Sequence, residues 1–197
     1  MNEKGQRSPQ LCIKIKTKVM AEKKTWVLDP THSELLFKVK HLMITNVKGE
    51  FTDFKASITT VGDDFQNAKV EVSIKSDSVY TNNGDRDKHL KSGDFFDVEN
   101  HSELTFTGTG FEKIDNENYR LKGDLTIIGV RKPITLDVEF GGTAKDPWGN
   151  KKAGFSISGK INRKEWGLNW NSTLETGGVL VSDEVKIMAE VQFTPQS

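Results

Sequence analysis

The chain has 197 residues, of which 35% are hydrophobic, 28% charged and 9% aromatic, a balance typical of a globular domain with enough apolar material for a core. Basic and acidic side chains are equal at 28 each, so no net field gathers nucleic acid. A single cysteine, Cys12, excludes an internal disulfide and a Cys-based zinc site, and no apolar run approaches the roughly 20 residues of a membrane-spanning helix.

The neutrality hides an asymmetry. Within residues 1–20, Lys4, Arg7, Lys14, Lys16 and Lys18 stand against Glu3 alone, and the remainder is acidic by the same margin. A secretory signal needs an uninterrupted apolar stretch of about 7–15 residues, whereas Lys14 and Lys16 break up Leu11, Cys12, Ile13 and Ile15. Met20-Ala21-Glu22 offers a second start. Residues 1–20 therefore read as a disordered basic extension before one domain over 21–197, and the missing signal points to the cytoplasm.

From Trp26 onward the dominant hydrophobic period is two. Leu35-Phe37-Val39 and Phe54-Ala56-Ile58 open the pattern, and Gly62-Asp63-Asp64 supplies turn chemistry. Ala68, Val70, Val72 and Ile74 then alternate with polar residues. Ser76 to Asn100 breaks the period, and Asp85 to Lys91 within it predicts a short helical segment near 85–92, closed by Gly93. Alternation resumes at Leu104-Phe106 and at Leu121-Gly123-Leu125-Ile127. Gly129-Val130-Arg131-Lys132-Pro133 predicts a bend, with Pro133 at a strand start where a lost N–H is tolerable. Ile134-Leu136-Val138-Phe140, Phe155-Ile157-Ile161 and the run Val185, Ile187, Ala189, Val191, Phe193 complete the set. Between them lie turns at Asp115–Asn118, Asp146–Asn150 and Gly177-Gly178.

Side chains at period two leave opposite faces of a strand, one apolar and one wet, which is the signature of an antiparallel sheet with one solvated face. Eight or nine such strands close as a sandwich or a barrel. Eleven Phe against two Tyr favour the barrel, since Phe makes a wide apolar wall with no polar atom to satisfy. The expected fold is all-β, a closed antiparallel barrel of about eight strands. Phe37, Val39, Val70, Val72, Leu136, Val138, Ile187 and Val191 would line its interior.

The polar clusters each admit two readings. Arg86, Lys88 and His89 beside Asp94 and Asp97 can meet phosphate oxygens, onto which Arg forks bidentately. They can equally pin a lid through Asp–Arg pairs, with Phe95 and Phe96 plugging the barrel end. His41 continues the Phe37/Val39 face and reads as a ligand contact or as a satisfied interior group. Asp29, His32 and Ser33 have the residue types of a catalytic triad but crowd one turn, and no nucleophile elbow accompanies them. The four histidines show no metal-ligand spacing. Trp166 and Trp170 suit a tunnel mouth, an interface or barrel-end packing.

Four sets of motifs stand out along the chain: Trp26-Val27-Leu28-Asp29-Pro30-Thr31-His32-Ser33 with Phe37-Lys38-Val39-Lys40-His41 and Gly49-Glu50-Phe51, then Arg86-Asp87-Lys88-His89-Leu90-Lys91-Ser92-Gly93-Asp94-Phe95-Phe96-Asp97, then Gly123 to Pro133, and Asn162-Arg163-Lys164-Glu165-Trp166-Gly167. Together they resemble the YceI-like polyisoprenoid-binding family. The resemblance spans about 25–195. It implies a lipocalin-like barrel, often a homodimer, that holds a long isoprenoid in an apolar tunnel and is no enzyme. The lipid-binding set then extends to His41, Phe51, Phe95 and Phe96, with Arg86, His89 and Arg163 at a pyrophosphate or quinone head group, no cofactor and no metal. The competing expectation is a small acid–base enzyme for an apolar substrate, using His41 or His89 with a nearby Asp.

Overall fold

The computed structural model describes residues 22–62, 64–174 and 178–196. The basic extension expected over 1–20 lies outside the described residues, as do Asp63 and Gly177 of two expected turns. Strand β1 (Lys23–Leu28) runs to a 3-10 turn at Pro30–His32; β2 (Glu34–His41) continues its line and β3 (Thr45–Phe51) returns. Next come β4 (Phe54–Val61), β5 (Asp64–Lys75), the short β6 (Val79–Tyr80) and helix α1 (Gly84–Lys91). Four long strands follow: β7 (Glu103–Lys113), β8 (Asn118–Ile127), β9 (Val130–Lys145) and β10 (Lys151–Asn162). After a 3-10 turn at Arg163–Trp166 come the small pair β11 (Thr173–Leu174) and β12 (Gly178–Val179), then β13 (Val181–Pro195).

Among the described residues, eight strands close into a ring in the order β1-β4-β5-β7-β8-β9-β10-β13 and back to β1, every neighbour antiparallel. The expected closed antiparallel barrel with one short helix is what the chain forms. Closure depends on the length of β13. Its C-terminal part pairs with β1 (Leu28 opposite Phe193) and its N-terminal part with β2 (Val39 opposite Val185), so one strand serves two partners along the same edge. β2, β3 and β6 thereby carry the wall beyond the ring at one end.

That alternation hid β3. Its inward positions are Val47, Gly49 and Phe51, and the middle one has no side chain. A Cβ on Gly49 would strike the ring of Phe37 directly opposite, so the glycine makes room for that ring. The bend expected over Gly129–Pro133 is shorter than its residues suggested. Only Ile128 (φ 43°) and Gly129 (φ 74°) make the turn, and Val130 is already in β9. Pro133 sits inside the strand, opposite Asp124. It is tolerated because β9 takes β10 as a partner only from Asp137 onward, leaving an open edge beside the missing N–H.

The phenylalanines divide between two tasks. Phe65 packs on Trp26, Phe140 and Phe155 with ring centroids 5.1–5.4 Å apart, and Phe111 stacks on Tyr119 at 4.8 Å. These rings seal the barrel end near the β4–β5, β7–β8 and β9–β10 turns. Phe37, Phe51, Phe95 and Phe96 lie at the opposite end.

Candidate functional site

Among the described residues lie two adjacent apolar cavities. The outer one, about 540 Å³, is lined by the β2–β3 extension, α1 and the segment after β10. The inner one, about 130 Å³, lies in the closed ring above the aromatic seal. Leu35, Ile74, Leu125 and Ile187 line both and form the waist between them.

Phe37, Val39, His41, Phe51, Phe95 and Phe96 line the outer chamber, Val70, Val72, Leu136, Val138 and Val191 the inner one, and Ile187 the waist. Arg86, His89 and Arg163 also line the outer chamber. Period two placed the strand residues, because alternate side chains of a closed barrel have no choice but the interior. The same signal could have found Leu35, Leu104, Leu125 and Ile127. Trp170, one of the two tryptophans read as suiting a tunnel mouth, lines the outer wall; Thr81, also there, lies in a segment without a period and was missed.

α1 stands at the mouth. Asn83 caps it by accepting from the N–H of Arg86 at 3.0 Å. The expected Asp–Arg pairs do not pin this helix; Thr81 does. Asp87 Oδ1 accepts from the N–H of Thr81 (2.9 Å) and from its hydroxyl. Arg86 donates from Nε to the Thr81 hydroxyl oxygen (2.8 Å) and from Nη2 to its carbonyl (2.7 Å). Thr81, ahead of the helix, offers two donors and two acceptors, so acid and base each find a partner there instead of each other. Phe96 meets Phe51 at 5.6 Å, and buried Phe95 meets Trp170 at 5.4 Å. The His89 ring stands edge-on to Trp170 at 4.6 Å while its Nε2 lies 2.9 Å from Asp94 Oδ2. Trp166 does not reach the cavity: it is buried and donates to the Leu125 carbonyl at 3.0 Å, a packing role.

Arg163 is the most deeply buried cation on the outer wall, only 3% exposed. A bulge in β13 brings it the carbonyl of Ser182, which accepts from Nε at 3.0 Å. Nη1 donates to the carbonyls of Leu168 and Trp170, and burial pushes the guanidinium's pKa down. Nη2 has no hydrogen-bond partner; Asp183 Oδ1, equally unsatisfied, lies 3.7 Å away. Unspent buried donors are rare, and each carries a desolvation cost that a further acceptor would relieve. The rest of the outer chamber's polar lining is sparse: His41, Thr81, Asp85, Arg86 and His89 among the described residues.

Asp29, His32 and Ser33 line neither cavity. The Asp29 carboxylate accepts from Lys152 Nζ (2.7 Å) and the Thr31 hydroxyl (2.6 Å), and lies 3.1 Å from His32 Nδ1. The Lys152 hydrogen bond above all holds its pKa well below the usual carboxylate range. Ser33 Oγ accepts from the N–H of Gln192 at 3.0 Å. The group clamps the β1–β2 joint to β10 and β13. Among the described residues no three His, Cys, Asp or Glu are arranged to hold a metal ion.

A family model described as the YceI-like domain matches residues 26–193. The chain belongs to the YceI-like family. A UPF0312 protein of Staphylococcus epidermidis is 42% identical over 167 residues, covering 84% of this chain and 95% of its own; one of Staphylococcus aureus is 41% identical over 170, covering 86% and 96%. Among solved structures, this YceI-like chain is similar to the Campylobacter jejuni YCEI protein at 40% identity and a TM-score of 0.67, covering 81% of this chain and 91% of that one. A polyisoprenoid binding domain from Saccharophagus degradans shares the fold at 17% identity and a TM-score of 0.64, covering 87% and 98%.

Proposed function

We propose that this YceI-like protein carries a long-chain isoprenoid lipid, its tail in the two chambers and its polar head among Arg163, Arg86, His41 and His89 at the outer wall. One observation carries the reading: the barrel leaves its interior open as an apolar cavity of about 540 Å³ while gathering two arginines and two histidines onto the same wall. An apolar interior bordered by cations is complementary to an amphiphile with an anionic or electron-rich head. Of these cations, Arg163 offers the unspent donor, whereas Arg86 has two of its donors on Thr81.

The acid–base alternative rests on His89 and Asp94. That pair holds the imidazole edge-on between Phe95 and Trp170, and His41 has no carboxylate partner among the described residues. This geometry favours a lid over a catalytic dyad. Native mass spectrometry of freshly purified protein, followed by organic extraction, tests the carrier reading. A co-purified long-chain isoprenoid supports it. A protein that binds no isoprenoid of any length, yet turns over an apolar substrate only while His89 is intact, would refute it.

A further inference from the structure

We propose that the mouth end of the barrel docks on an anionic lipid bilayer, the β2–β3 tip entering the membrane and a row of lysines meeting its head groups. The tip is Leu42-Met43-Ile44, exposed by 37%, 52% and 80%. Leu42 and Met43 adopt left-handed backbone (φ 51° and 60°), which costs energy for residues with side chains and which Gly or Asn would adopt more easily. The chain spends that strain on a turn made of three apolar residues. The Leu42 N–H donates to the Leu180 carbonyl at 2.9 Å, which fixes the tip beside Val179, itself 42% exposed. His41, Leu180 and Val181 line the outer chamber, so the apolar tip borders the opening through which a lipid would pass.

Charge supplies the second, independent observation. On the outer face, Lys160 lies opposite Lys186, Lys186 opposite Lys38, and Lys38 opposite Lys48, an unbroken row across four neighbouring strands. Like charges directly opposite one another repel, and an external anion that met the row would relieve that repulsion. Lys40 stands one step nearer the tip. Of the neighbouring acids, Glu184 is 3.4 Å from Lys160 and Asp183 is 3.0 Å from Lys164, while Glu50, two residues along β3 from Lys48, makes no ion pair with the row. Among the described residues, Lys38, Lys40, Lys48 and Lys186 have no ion-pair partner. Farther from the mouth the sign reverses, with Glu34 opposite Glu190.

The spacing fits a bilayer. Leu42 lies four positions beyond Lys38, about 13 Å along a strand. A tip buried about 5–10 Å at the acyl boundary would leave the row among the head groups. At the opposite end, among the described residues, Val61, Ile114 and Trp148 project from three separate turns beyond the aromatic seal, and the lysines there form one opposed pair, Lys145 and Lys151, in place of a row across four strands.

The proposal deepens the carrier reading and rests on it for its purpose, but it is tested separately. The full chain is sedimented with phosphatidylcholine vesicles with and without phosphatidylglycerol, while binding of a short isoprenoid pyrophosphate is followed in solution by tryptophan fluorescence. The expected result is co-sedimentation that needs phosphatidylglycerol and weakens with salt. Ile44→Asp with Met43→Asp should abolish it, and Lys38→Gln with Lys48→Gln should weaken it about fivefold per lysine. Neither pair should alter isoprenoid binding. Equal binding to neutral vesicles, or no vesicle binding by a protein that still takes up the isoprenoid, would overturn the docking proposal. So would tip variants that change only the oligomer mass in sedimentation velocity, since the tip would then be a protein contact. Vesicle binding without isoprenoid binding would instead overturn the carrier reading and leave docking standing.

Discussion

The waist between the chambers makes chain length a testable property. A water molecule's share of its liquid is about 30 Å³ and a methylene group is similar in size, so the outer chamber takes about 18 carbons and the inner one about four. The inner chamber is thus worth roughly one isoprene unit, and affinity should climb with tail length up to about four or five units and then level off. Ile187 is half-buried at the waist, opposite Phe37, where a larger ring would stand between a tail in the outer chamber and the inner one. At about 0.8 kcal/mol per buried CH₂, Ile187→Phe should cost a five-unit tail up to about 3 kcal/mol, on the order of a hundredfold in Kd. A two- or three-unit tail, which fits the outer chamber, should bind as before. Trp170 lines that chamber, so fluorescence titration with isoprenoid pyrophosphates of graded length reports both. Equal losses for short and long tails, or none for either, would refute the two-chamber reasoning.

Arg163→Met should weaken pyrophosphate-bearing ligands about ten- to a hundredfold, from one charge-assisted hydrogen bond of about 1.5–3 kcal/mol, and leave the matching alcohols much less affected; a competition titration separates the two. Phe95→Ala removes a buried ring from the lid and should destabilise the fold by about 3–5 kcal/mol in thermal melts; a change within about 0.5 kcal/mol would place the ring in solvent. Asp29→Asn should cost about 1.5–3 kcal/mol at neutral pH. Because the folded Asp29 pKa is depressed, its stabilisation is present above the unfolded carboxylate value of about 3.9 and is lost as pH falls through the folded one. The gap in melting temperature between wild type and variant should therefore hold down to about pH 5 and narrow below it; a gap independent of pH would remove Lys152 and the Asp29 charge from the explanation.

Period-two alternation by itself determined the strands at Leu35–Val39, Ala68–Ile74, Leu121–Ile127, Ile134–Phe140 and Val185–Phe193, and with them which side chains face inward. That follows from local chemistry, since successive side chains of any strand leave opposite faces. The helix at 84–91 was equally legible, because the alternation stops there. Tertiary structure alone decided the rest. The phenylalanine count could not say which rings seal one end and which surround a cavity, because that depends on height along the barrel. Arg86 and Asp87 were legible as a polar cluster, but their shared partner, Thr81, comes from the chain's return along β3. Lys160, Lys186, Lys38 and Lys48 are scattered through the sequence, and only the register of four strands sets them in one row. Residues far apart in the chain acquire a common function only when strand pairing fixes their heights, and pairing is a property of the closed barrel, absent from any single segment.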